Sequence, residues 1–381
     1  MIRKHYSQDE VLALGKRVIN PKRSYLLVNP LQAKHVPVSP TAALQMMRSL
    51  GVLVRQSCPG KCLVIGFAET ATAVAAAVSS ELDRECRYIQ TTRDNVEGVR
   101  QWLLFFEEHS HATEQKLCGD GLPDWIASVD HIIIVDDEFS TGRTLINIAR
   151  ALKAYDPEAK TKDFVAASII NRVDDEHMGL LKEEGYRCIY LVKPMDEDYE
   201  NKIAGFQVRE AERIVYMGAE RDSIAAIQLE TPYLNPRIGV LFQEYAECCK
   251  LLSEEACQNI LPILAGNKVL VLGTEECMYP ALMVGKRLEK TSRTTVVRCH
   301  ATTRSPIGIS EQRGYPIRNG WRMSSFYDPE RTSYLYNLQE YDTAIIVTDA
   351  KIDISKEGLY DLYAVLSRFG CENTICLEIG G

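Results

Sequence analysis

Short apolar runs alternate with stretches of helical periodicity along most of the chain. The runs "KCLVIGF" (61–67), "HIIIV" (131–135) and "DFVAASII" (163–170) are each followed by a segment whose apolar residues recur at helical spacing. Apolar runs of this length are typical of strands buried on both faces, and an intervening helix allows successive strands to run parallel. The pattern therefore predicts an α/β fold built on a parallel sheet.

The pattern weakens over residues 195–232 and then returns. That charged stretch leads into "ETPYLNPRIGV", whose prolines indicate a linker. The apolar runs resume as "KVLVLG" (268–273), "TTVVRCH" (294–300), "TAIIVTD" (343–349) and "NTICLEIG" (373–380). Because 381 residues exceed what one ordinary core supports, we predict two doubly wound parallel-sheet domains, at 1–232 and 233–381.

The two halves also resemble each other in sequence. "KCLVIGFAE" (61–69) and "KVLVLGTEE" (268–276) agree at Lys, Leu, Val, Gly and Glu. Two further matches follow in the same order and at nearly equal spacing, namely "TTR" at 91–93 and 302–304 and "IIVDD" (133–137) with "IIVTD" (345–349). Repetition of this kind indicates an internal duplication. We therefore predict that the second domain is a diverged copy of the first.

Composition and charge exclude several classes of protein. The net charge is −8 with no basic block, which argues against a nucleic-acid binder. Neither a signal peptide nor a run of membrane-spanning length is present in the sequence. Twelve scattered cysteines without an export signal indicate reduced thiols, and Cys58 and Cys62 lack the second pair that a zinc site needs. We expect a cytoplasmic protein that acts on small molecules.

The segment "HIIIVDDEFSTGRT" (131–144) carries the most specific chemistry. If "HIIIV" is a strand followed by a turn and a helix, Asp136 and Asp137 lie at the carboxyl end of the strand, where open α/β sheets bind ligands. Gly142 lets backbone N–H groups converge at the helix N-terminus, which suits a phosphate monoester. The predicted phosphate loop consists of Ser140, Thr141, Gly142, Arg143 and Thr144. The carboxylates accept hydrogen bonds from a diol and can help to hold magnesium, so a ribose 5-phosphate fits both halves of the segment.

The stretch from Ile132 to Thr144 resembles the ribose-phosphate signature of type I phosphoribosyltransferases. That signature has four apolar residues, two acids, two variable positions and a small residue, followed by Thr-Gly-x-Thr. The resemblance implies phosphoribosyl pyrophosphate (PRPP) as substrate and Mg²⁺ as cofactor, with Asp136 and Asp137 as metal ligands. Glu138 replaces an aliphatic residue, and its carboxylate points either to solvent or into the site. Ser140 stands where six-oxopurine transferases carry an aspartate, which argues against hypoxanthine or guanine as acceptor.

A second loop, "GFAETATA" (66–73), resembles the pyrophosphate-binding loop of this fold. Its predicted ligand contacts are made by Ala68, Glu69, Thr70, Ala71 and Thr72. Glu69 either binds magnesium or is an acid at a helix N-terminus. Arg93, in the repeated "TTR", is either placed to neutralise pyrophosphate or exposed to solvent. With Asp136, Asp137 and Glu138, Arg93 completes the predicted catalytic set.

Two further segments are predicted to surround the acceptor. Residues of about 105–125 fall between two strands, where the family has a mobile lid, and "EEHSH" within it supplies either substrate contacts or a structural turn. Its candidate contacts are Glu108, His109 and His111. A small hood over the acceptor is expected at about 20–50, with Lys34 and His35 as contacts.

"EEHSHAT", "AKHVPV" and "VDDEFSTGRT" together resemble a narrower group of bacterial phosphoribosyltransferase-like proteins, encoded near tellurite-resistance and stress-response genes. The C-terminal domain of that group is named for a Thr-Arg-Ser-Pro motif, found here at 303–306. Thr303, Arg304 and Ser305 form a predicted second-domain anion site, the alternative being that Arg304 is a surface residue. For this group, synthesis of a nucleoside-like metabolite has been inferred from genetic context.

These observations predict Mg²⁺-dependent phosphoribosyl transfer from PRPP to an acceptor with release of pyrophosphate. A non-catalytic PRPP-sensing protein and an enzyme that runs the reaction backwards are the alternatives. The acceptor is expected to be already nucleophilic or anionic, or to be deprotonated by Glu138 or a lid histidine. Because transferases of this fold commonly pair, we predict a pseudo-dimer of the two domains within one chain, with a homodimer left open.

Overall fold

The computed structural model describes residues 4–18, 23–106, 114–195, 197–214, 224–291, 295–371 and 373–380. The strands are β1 (Ala13–Lys16), β2 (Tyr25–Val28), β3 (Cys62–Gly66), β4 (Arg87–Gln90), β5 (Trp102–Phe106), β6 (Glu114–Cys118), β7 (His131–Phe139), β8 (Asp163–Asn171), β9 (Tyr186–Val192), β10 (Glu212–Arg213), β11 (Ile224–Gln228), β12 (Val240–Leu241), β13 (Lys268–Gly273), β14 (Val296–Ala301), β15 (Gly320–Ser324), β16 (Thr332–Tyr336), β17 (Thr343–Thr348) and β18 (Asn373–Glu378). The helices are α1 (Gln8–Val11), α2 (Pro40–Ser57), α3 (Thr72–Ser79), α4 (Leu122–Ala127), α5 (Arg143–Tyr155), α6 (Asp175–Glu183), α7 (Tyr199–Ala204), α8 (Phe242–Ile260), α9 (Met278–Thr291) and α10 (Ile352–Arg368).

The chain forms two compact units, each assembled from three segments of the sequence. Unit 1 consists of Met1–Gln8, Gln45–Asp196 and Leu234–Glu247, and unit 2 of Asp9–Leu44, Glu197–Tyr233 and Cys248–Gly381. These units differ from the predicted contiguous domains, because the segments 9–44 and 197–233 pack with the C-terminal part of the chain. Within unit 2, for example, the Lys16 N–H donates to the Tyr315 hydroxyl at 2.8 Å.

A six-stranded sheet forms the centre of unit 1, in the order β12-β4-β3-β7-β8-β9. All its neighbouring strands are parallel except β12, which runs antiparallel to β4. The apolar runs found in the sequence form its middle, and Ile132–Val135 of β7 are fully buried. A continuous apolar run is what a strand covered on both faces requires, and the predicted α/β fold with a parallel sheet is confirmed.

Unit 2 has its own five-stranded parallel sheet, in the order β11-β18-β17-β13-β14. Two smaller sheets accompany it, the β1-β2 hairpin and a three-stranded sheet in the order β10-β15-β16. In the latter, β10 runs parallel to β15 and β15 antiparallel to β16. Across the described ranges of both units, no helix is long and apolar enough to cross a membrane.

The strand order of unit 1 fixes where its site lies. From β3 the chain first adds β4 on one side and then β7 on the other, so the direction of winding reverses between β3 and β7. The carboxyl ends of two adjacent parallel strands diverge at such a point, and the loops that leave them form a ligand-binding crevice. Both loops singled out in the sequence leave the sheet here, one after β3 and one after β7.

Candidate functional site

The loop that follows β3 begins with a hydrogen bond to β7, the strand that leads into the phosphate loop. Gly66, the last residue of β3, is the register partner of Val135 in β7. The N–H of Phe67 then donates to the carbonyl of Val135 at 3.0 Å. The loop at 67–71 therefore begins beside the residue that immediately precedes Asp136.

The predicted phosphate loop is a tight turn into the N-terminus of α5. Gly142 has φ +74° and ψ −1°, a left-handed conformation that side chains disfavour. A Cβ at this position would also lie 2.8 Å from Cδ1 of Leu181. Thr141 accepts a hydrogen bond from the Arg143 N–H at 3.4 Å. The other side chains of the loop are partly or fully exposed and thus accessible to a ligand, namely Ser140, Thr141, Arg143 and Thr144.

Asp136 and Asp137 are both partly buried at the end of β7. The carboxylate of Asp136 accepts a hydrogen bond from the backbone N–H of Asp137 at 2.9 Å. Since successive side chains of a strand point to opposite faces, Asp136 shares its face with Glu138, and Asp137 lies on the other. The two adjacent carboxylates are therefore not equivalent.

Glu138 forms an ion pair with Arg172. The sequence left open whether the carboxylate of Glu138 points to solvent or into the site. Its carboxylate lies 3.2 Å from Nη1 of Arg172, and the two side chains are 15% and 20% exposed. The backbone N–H of Arg172 also donates to the carbonyl of Phe139 at 2.8 Å. Arg172 thus braces the start of the phosphate loop through both its backbone and its side chain.

Buried polar groups fix the loop that follows β3. The Ala68 N–H donates to Oγ1 of Thr91 at 2.8 Å, and Nε2 of Gln115 donates to the Ala68 carbonyl at 3.0 Å. The Thr91 hydroxyl in turn donates to Oε1 of Gln115 at 2.9 Å. The peptide bond between Ala68 and Glu69 is cis. Both groups of the Ala68 backbone are thereby held in place by side chains.

The remaining residues of this loop are largely buried. Glu69 is 5% exposed, and its carbonyl accepts from the Thr72 hydroxyl at 3.4 Å. Ala71 is buried and its N–H donates to the carbonyl of Phe67 at 2.9 Å, while Thr70 is partly exposed. Glu69 lies three residues before the start of α3, and either role considered for it, magnesium ligand or helix N-terminal acid, stays a prediction.

Arg93 is partly buried and lies two residues after Thr91. The intervening Thr92 forms an antiparallel bridge with Lys116 of β6, with both N–H to carbonyl distances at 2.9 Å. The backbone at Arg93 therefore follows directly on a paired segment, and Arg93 lies two residues from Thr91, which holds Ala68. Its role toward pyrophosphate stays a prediction.

The segments predicted to surround the acceptor divide between the two units. Glu108, His109 and His111 lie outside the described residues, but the described part of the predicted lid forms β5, β6 and α4, with Leu117 and Leu122 in the core of unit 1. Lys34 and His35 belong to unit 2, where they are 1% and 3% exposed. The His35 carbonyl accepts from Nδ2 of Asn337 at 3.0 Å.

The Thr-Arg-Ser-Pro motif lies in unit 2, in a buried cluster of charges. Nε of Arg304 is 2.6 Å from Oε2 of Glu275, and its Nη2 is 3.5 Å from Oε1 of Glu276. Arg331 reaches the same oxygen of Glu275 at 3.0 Å. The side chain of Arg304 is 9% exposed and that of Glu275 is fully buried. On either side of Arg304, the Ser305 N–H donates a hydrogen bond to the Thr303 hydroxyl at 3.2 Å.

The protein offers only part of a magnesium coordination sphere. Within the described ranges, no group of three or more His, Cys, Asp or Glu side chains could enclose a metal ion. Mg²⁺ is usually held by one or two carboxylates together with substrate oxygens and water. Because Asp136 and Asp137 lie on opposite faces of β7, either one alone fits that mode of binding, in which the substrate and water complete the set of ligands.

Three residues that support the site were not found from the sequence. Gln115 and Arg172 carry no local signal, because their contacts depend on which strands are adjacent in the fold. Thr91 did have a signal, since it begins the repeated "TTR". The motif points to Arg93 as its charged residue, whereas the hydroxyl that holds the loop belongs to Thr91.

Two family models match the chain. Residues 11–192 match the model described as phosphoribosyl transferase. Residues 235–366 match the model of the TRSP domain, which lies C-terminal to that transferase domain. A search of curated proteins found no match.

Several solved structures also match about half of the chain at low identity. APRTase from Giardia lamblia, complexed with 9-deazaadenine, is 12% identical over 49% of this chain and 94% of its own, with a TM-score of 0.36. Adenine phosphoribosyltransferase from Rhodothermus marinus is 11% identical over 49% and 96% of the two chains, with a TM-score of 0.33. The Trypanosoma brucei enzyme, in complex with AMP, pyrophosphate and ribose-5-phosphate, is 11% identical over 50% and 84%, with a TM-score of 0.34. With both family models matched in order along the sequence, the chain belongs to the phosphoribosyltransferases whose transferase domain is followed by a TRSP domain.

Proposed function

We propose that this protein transfers the phosphoribosyl group of PRPP to a small-molecule acceptor, in a Mg²⁺-dependent reaction that releases pyrophosphate. One observation carries the proposal. The glycine turn at the N-terminus of α5 and the braced loop after β3 leave adjacent strands where the direction of winding reverses. A ligand with a phosphate at one end and a pyrophosphate at the other would span these two loops.

The phosphate loop would anchor the 5-phosphate. Backbone N–H groups at the start of α5 and the positive end of the helix favour an anion there. The hydroxyls of Ser140, Thr141 and Thr144 add donors. On the preceding strand, Asp136 and Asp137 would accept hydrogen bonds from the ribose hydroxyls. Because the two side chains leave opposite faces of β7, we expect one to dominate sugar binding and the other to act mainly through magnesium.

The loop at 68–72 and Arg93 would stabilise the departing pyrophosphate. As the bond between C1 and the pyrophosphate oxygen breaks, negative charge builds up on the leaving group and positive charge on the ribose ring. Fixed N–H groups and a guanidinium that face the leaving group lower the energy of this state, because they need no reorganisation during the reaction. Bound Mg²⁺ would neutralise part of the pyrophosphate charge.

The acceptor side of the reaction has fewer candidate groups. Glu138 accepts a hydrogen bond from Arg172, so its carboxylate is already engaged in an ion pair. We therefore favour an acceptor that is nucleophilic without deprotonation by Glu138. Lys34 and His35 stay candidates for acceptor contacts, with the lid residues Glu108, His109 and His111.

We also propose that unit 2 is a diverged copy of the core of unit 1 that has lost PRPP binding. Three likenesses support this. The sheet order β14-β13-β17-β18 in unit 2 repeats β4-β3-β7-β8 in unit 1. A hairpin follows the corresponding strand in each unit, β5-β6 after β4 and β15-β16 after β14. The Thr302 hydroxyl accepts from the Glu275 N–H at 3.0 Å, as Thr91 does from Ala68. In unit 2, however, the corresponding loop carries Glu275, whose buried carboxylate is paired with Arg304 and Arg331, so these guanidinium groups are already engaged within the loop region.

The proposal is tested by calorimetric titration with PRPP and Mg²⁺, followed by detection of pyrophosphate in the presence of pooled candidate acceptors. Asp136→Asn and Asp137→Asn are compared with Asp83→Asn, which changes an exposed aspartate of unit 1 outside both loops and the predicted lid. We expect at least one of the first two to weaken ribose 5-phosphate binding by about tenfold, or about 1.4 kcal/mol, with inorganic phosphate affinity unchanged. Normal turnover in both variants would contradict the assigned roles. PRPP binding without pyrophosphate release from any acceptor would favour the sensing alternative.

A further inference from the structure

A small pocket in unit 2 is lined by three arginines. It has a volume of about 50 Å³ and lies on the sheet formed by β10, β15 and β16. The polar side chains that line it are Arg213, Arg322, Arg331, Ser324, Thr332 and Glu330. These residues come from unit 2 alone, and they include neither the Thr-Arg-Ser-Pro motif nor any residue of the two loops in unit 1.

The register of the sheet places two of these arginines side by side. Arg213 of β10 and Arg322 of β15 are direct partners in the parallel pairing. Alternation along the strands puts Glu212 on the opposite face of β10, where its carboxylate pairs with Arg209 at 3.0 Å. Like charges at neighbouring positions of paired strands repel each other. An arrangement of this kind costs stability unless an anion lies between the two side chains.

Among the described residues, two of the three arginines, Arg322 and Arg331, meet a carboxylate, and the third does not. Arg322 has Glu210 at 3.5 Å from its Nη1, while its Nε is buried and lacks a hydrogen-bond partner among the described residues. For Arg213, the described part of the chain supplies no ion pair. Arg331 shares one nitrogen, Nη2, between Glu275 and the Ser325 hydroxyl, each at 3.0 Å. Glu330 is the only carboxylate among the described lining residues.

We propose that this pocket binds the phosphoryl group of a small molecule. Its volume of about 50 Å³ exceeds the roughly 10–15 Å³ that one water molecule needs, so the pocket has room for a small polyatomic anion. Guanidinium groups donate paired N–H bonds that match phosphate oxygens. The hydroxyls of Ser324 and Thr332, register partners on β15 and β16, add donors on the same face. The proposal is independent of PRPP chemistry in unit 1.

The test uses the full chain, with inorganic phosphate and pyrophosphate as ligands in calorimetric titrations at fixed ionic strength. To separate the pocket from the proposed site in unit 1, the titrations are repeated with Gly142→Ala. We expect Arg213→Gln and Arg322→Gln each to weaken phosphate binding at the unit 2 pocket at least tenfold. Binding at the proposed unit 1 site, which Gly142→Ala removes, should be retained in both variants. Arg313→Ala, which removes an exposed arginine of unit 2 outside the pocket, should change binding at neither site.

Thermal unfolding supplies a second readout that a purely structural role would not produce. Because Arg213 and Arg322 repel each other when no anion is bound, Arg213→Gln should raise the melting temperature in phosphate-free buffer and reduce the stabilisation that added phosphate gives. Arg322→Lys keeps the charge but loses the paired donors, so it should bind phosphate with intermediate affinity. Unchanged isotherms in Arg213→Gln and Arg322→Gln, or equal weakening in Arg313→Ala, would overturn the proposal.

Discussion

His300 is a buried histidine whose two ring nitrogens are both engaged. Because the Ala301 N–H can only donate, Nδ1 accepts from it at 2.9 Å, and Nε2 therefore carries the proton and donates to the Tyr336 carbonyl at 2.6 Å. This arrangement requires a neutral ring. Burial accordingly lowers the pKa of His300 from 6.5 to about 4.

The depressed pKa of His300 predicts a loss of stability at acid pH. Between pH 6.5 and about 4 the unfolded chain binds a proton that the folded protein does not, so stability is complete above pH 6.5 and falls with decreasing pH. The loss from this residue amounts to about 3 kcal/mol once pH 4 is reached. His300→Gln cannot titrate, so the difference between its unfolding free energy and that of the wild type should narrow as the pH falls. A difference that is constant from pH 7.5 to 4.5 would contradict this account.

At the scale of single residues, the sequence is informative where chemistry is local. The need for glycine at 142 and the two carboxylates at 136 and 137 follow from a strand, a turn and a helix in immediate succession. The Gln115 contact to Ala68 does not follow, because it joins residues 47 positions apart through the pairing of separate strands. Likewise, the partner of Glu138 is Arg172, which immediately follows β8, and a lone glutamate in a sequence does not identify the arginine that meets it.

At the scale of elements, two short strands from the predicted linker region join different sheets. β11 pairs with β18 in unit 2, whereas β12 pairs with β4 in unit 1. Just after β12, the rings of Phe242 and Tyr245 lie 6.0 and 5.8 Å from the ring of Tyr88, centroid to centroid. The apolar runs predicted the long strands well. A strand of two residues, such as β12, has no periodicity to recognise. The sequence therefore did not predict that β11 joins the sheet of unit 2 while β12 joins the sheet of unit 1.

This exchange predicts that a chain cut at the proposed domain boundary is unstable. Residues 1–232 lack β12, Phe242 and Tyr245, and burial of two large aromatic side chains contributes about 3–6 kcal/mol. Typical domains have only about 5–15 kcal/mol in total. We expect residues 1–260, which end with α8, to unfold at a higher urea concentration than residues 1–232. Equal midpoints for the two chains would show that β12 and its aromatic neighbours do not stabilise unit 1.

At the scale of the whole molecule, the two cores repeat one arrangement with different chemistry. Thr91, which follows β4, accepts a hydrogen bond from the loop after β3, and Thr302, which follows β14, accepts one from the loop after β13. Both threonines are buried, Thr91 at 0% and Thr302 at 1% exposure. The unit 1 loop presents an uncharged backbone at Ala68. The unit 2 loop presents Glu275, which is held by two arginines.

The paired threonines allow a matched comparison of the units. Thr91→Val and Thr302→Val each leave a buried N–H without its acceptor, which costs about 1–3 kcal/mol. Thr91→Val also removes the hydrogen bond that the Thr91 hydroxyl donates to Gln115, so it should lose at least as much stability in urea unfolding as Thr302→Val. Only Thr91→Val should slow pyrophosphate release, by tenfold or more, because only its loop faces the proposed PRPP site. Equal loss of activity in the two variants would mean that unit 2 takes part in PRPP turnover.

The most direct test of PRPP binding at the α5 turn compares two glycines of unit 1. Gly142 and Gly121 both precede a helix, with φ and ψ of +74° and −1° against +73° and −2°. Alanine therefore meets the same left-handed strain at each position, about 1–2 kcal/mol. At position 142 its Cβ also meets the side chain of Leu181, so the urea midpoint of each variant is measured to confirm that it is folded. Only Gly142 lies in the proposed phosphate loop. The measurement is the Kd of PRPP by calorimetry with Mg²⁺. Gly142→Ala should bind at least tenfold more weakly than wild type and Gly121→Ala within about twofold of it; a folded Gly142→Ala protein with wild-type PRPP affinity would contradict the proposed site.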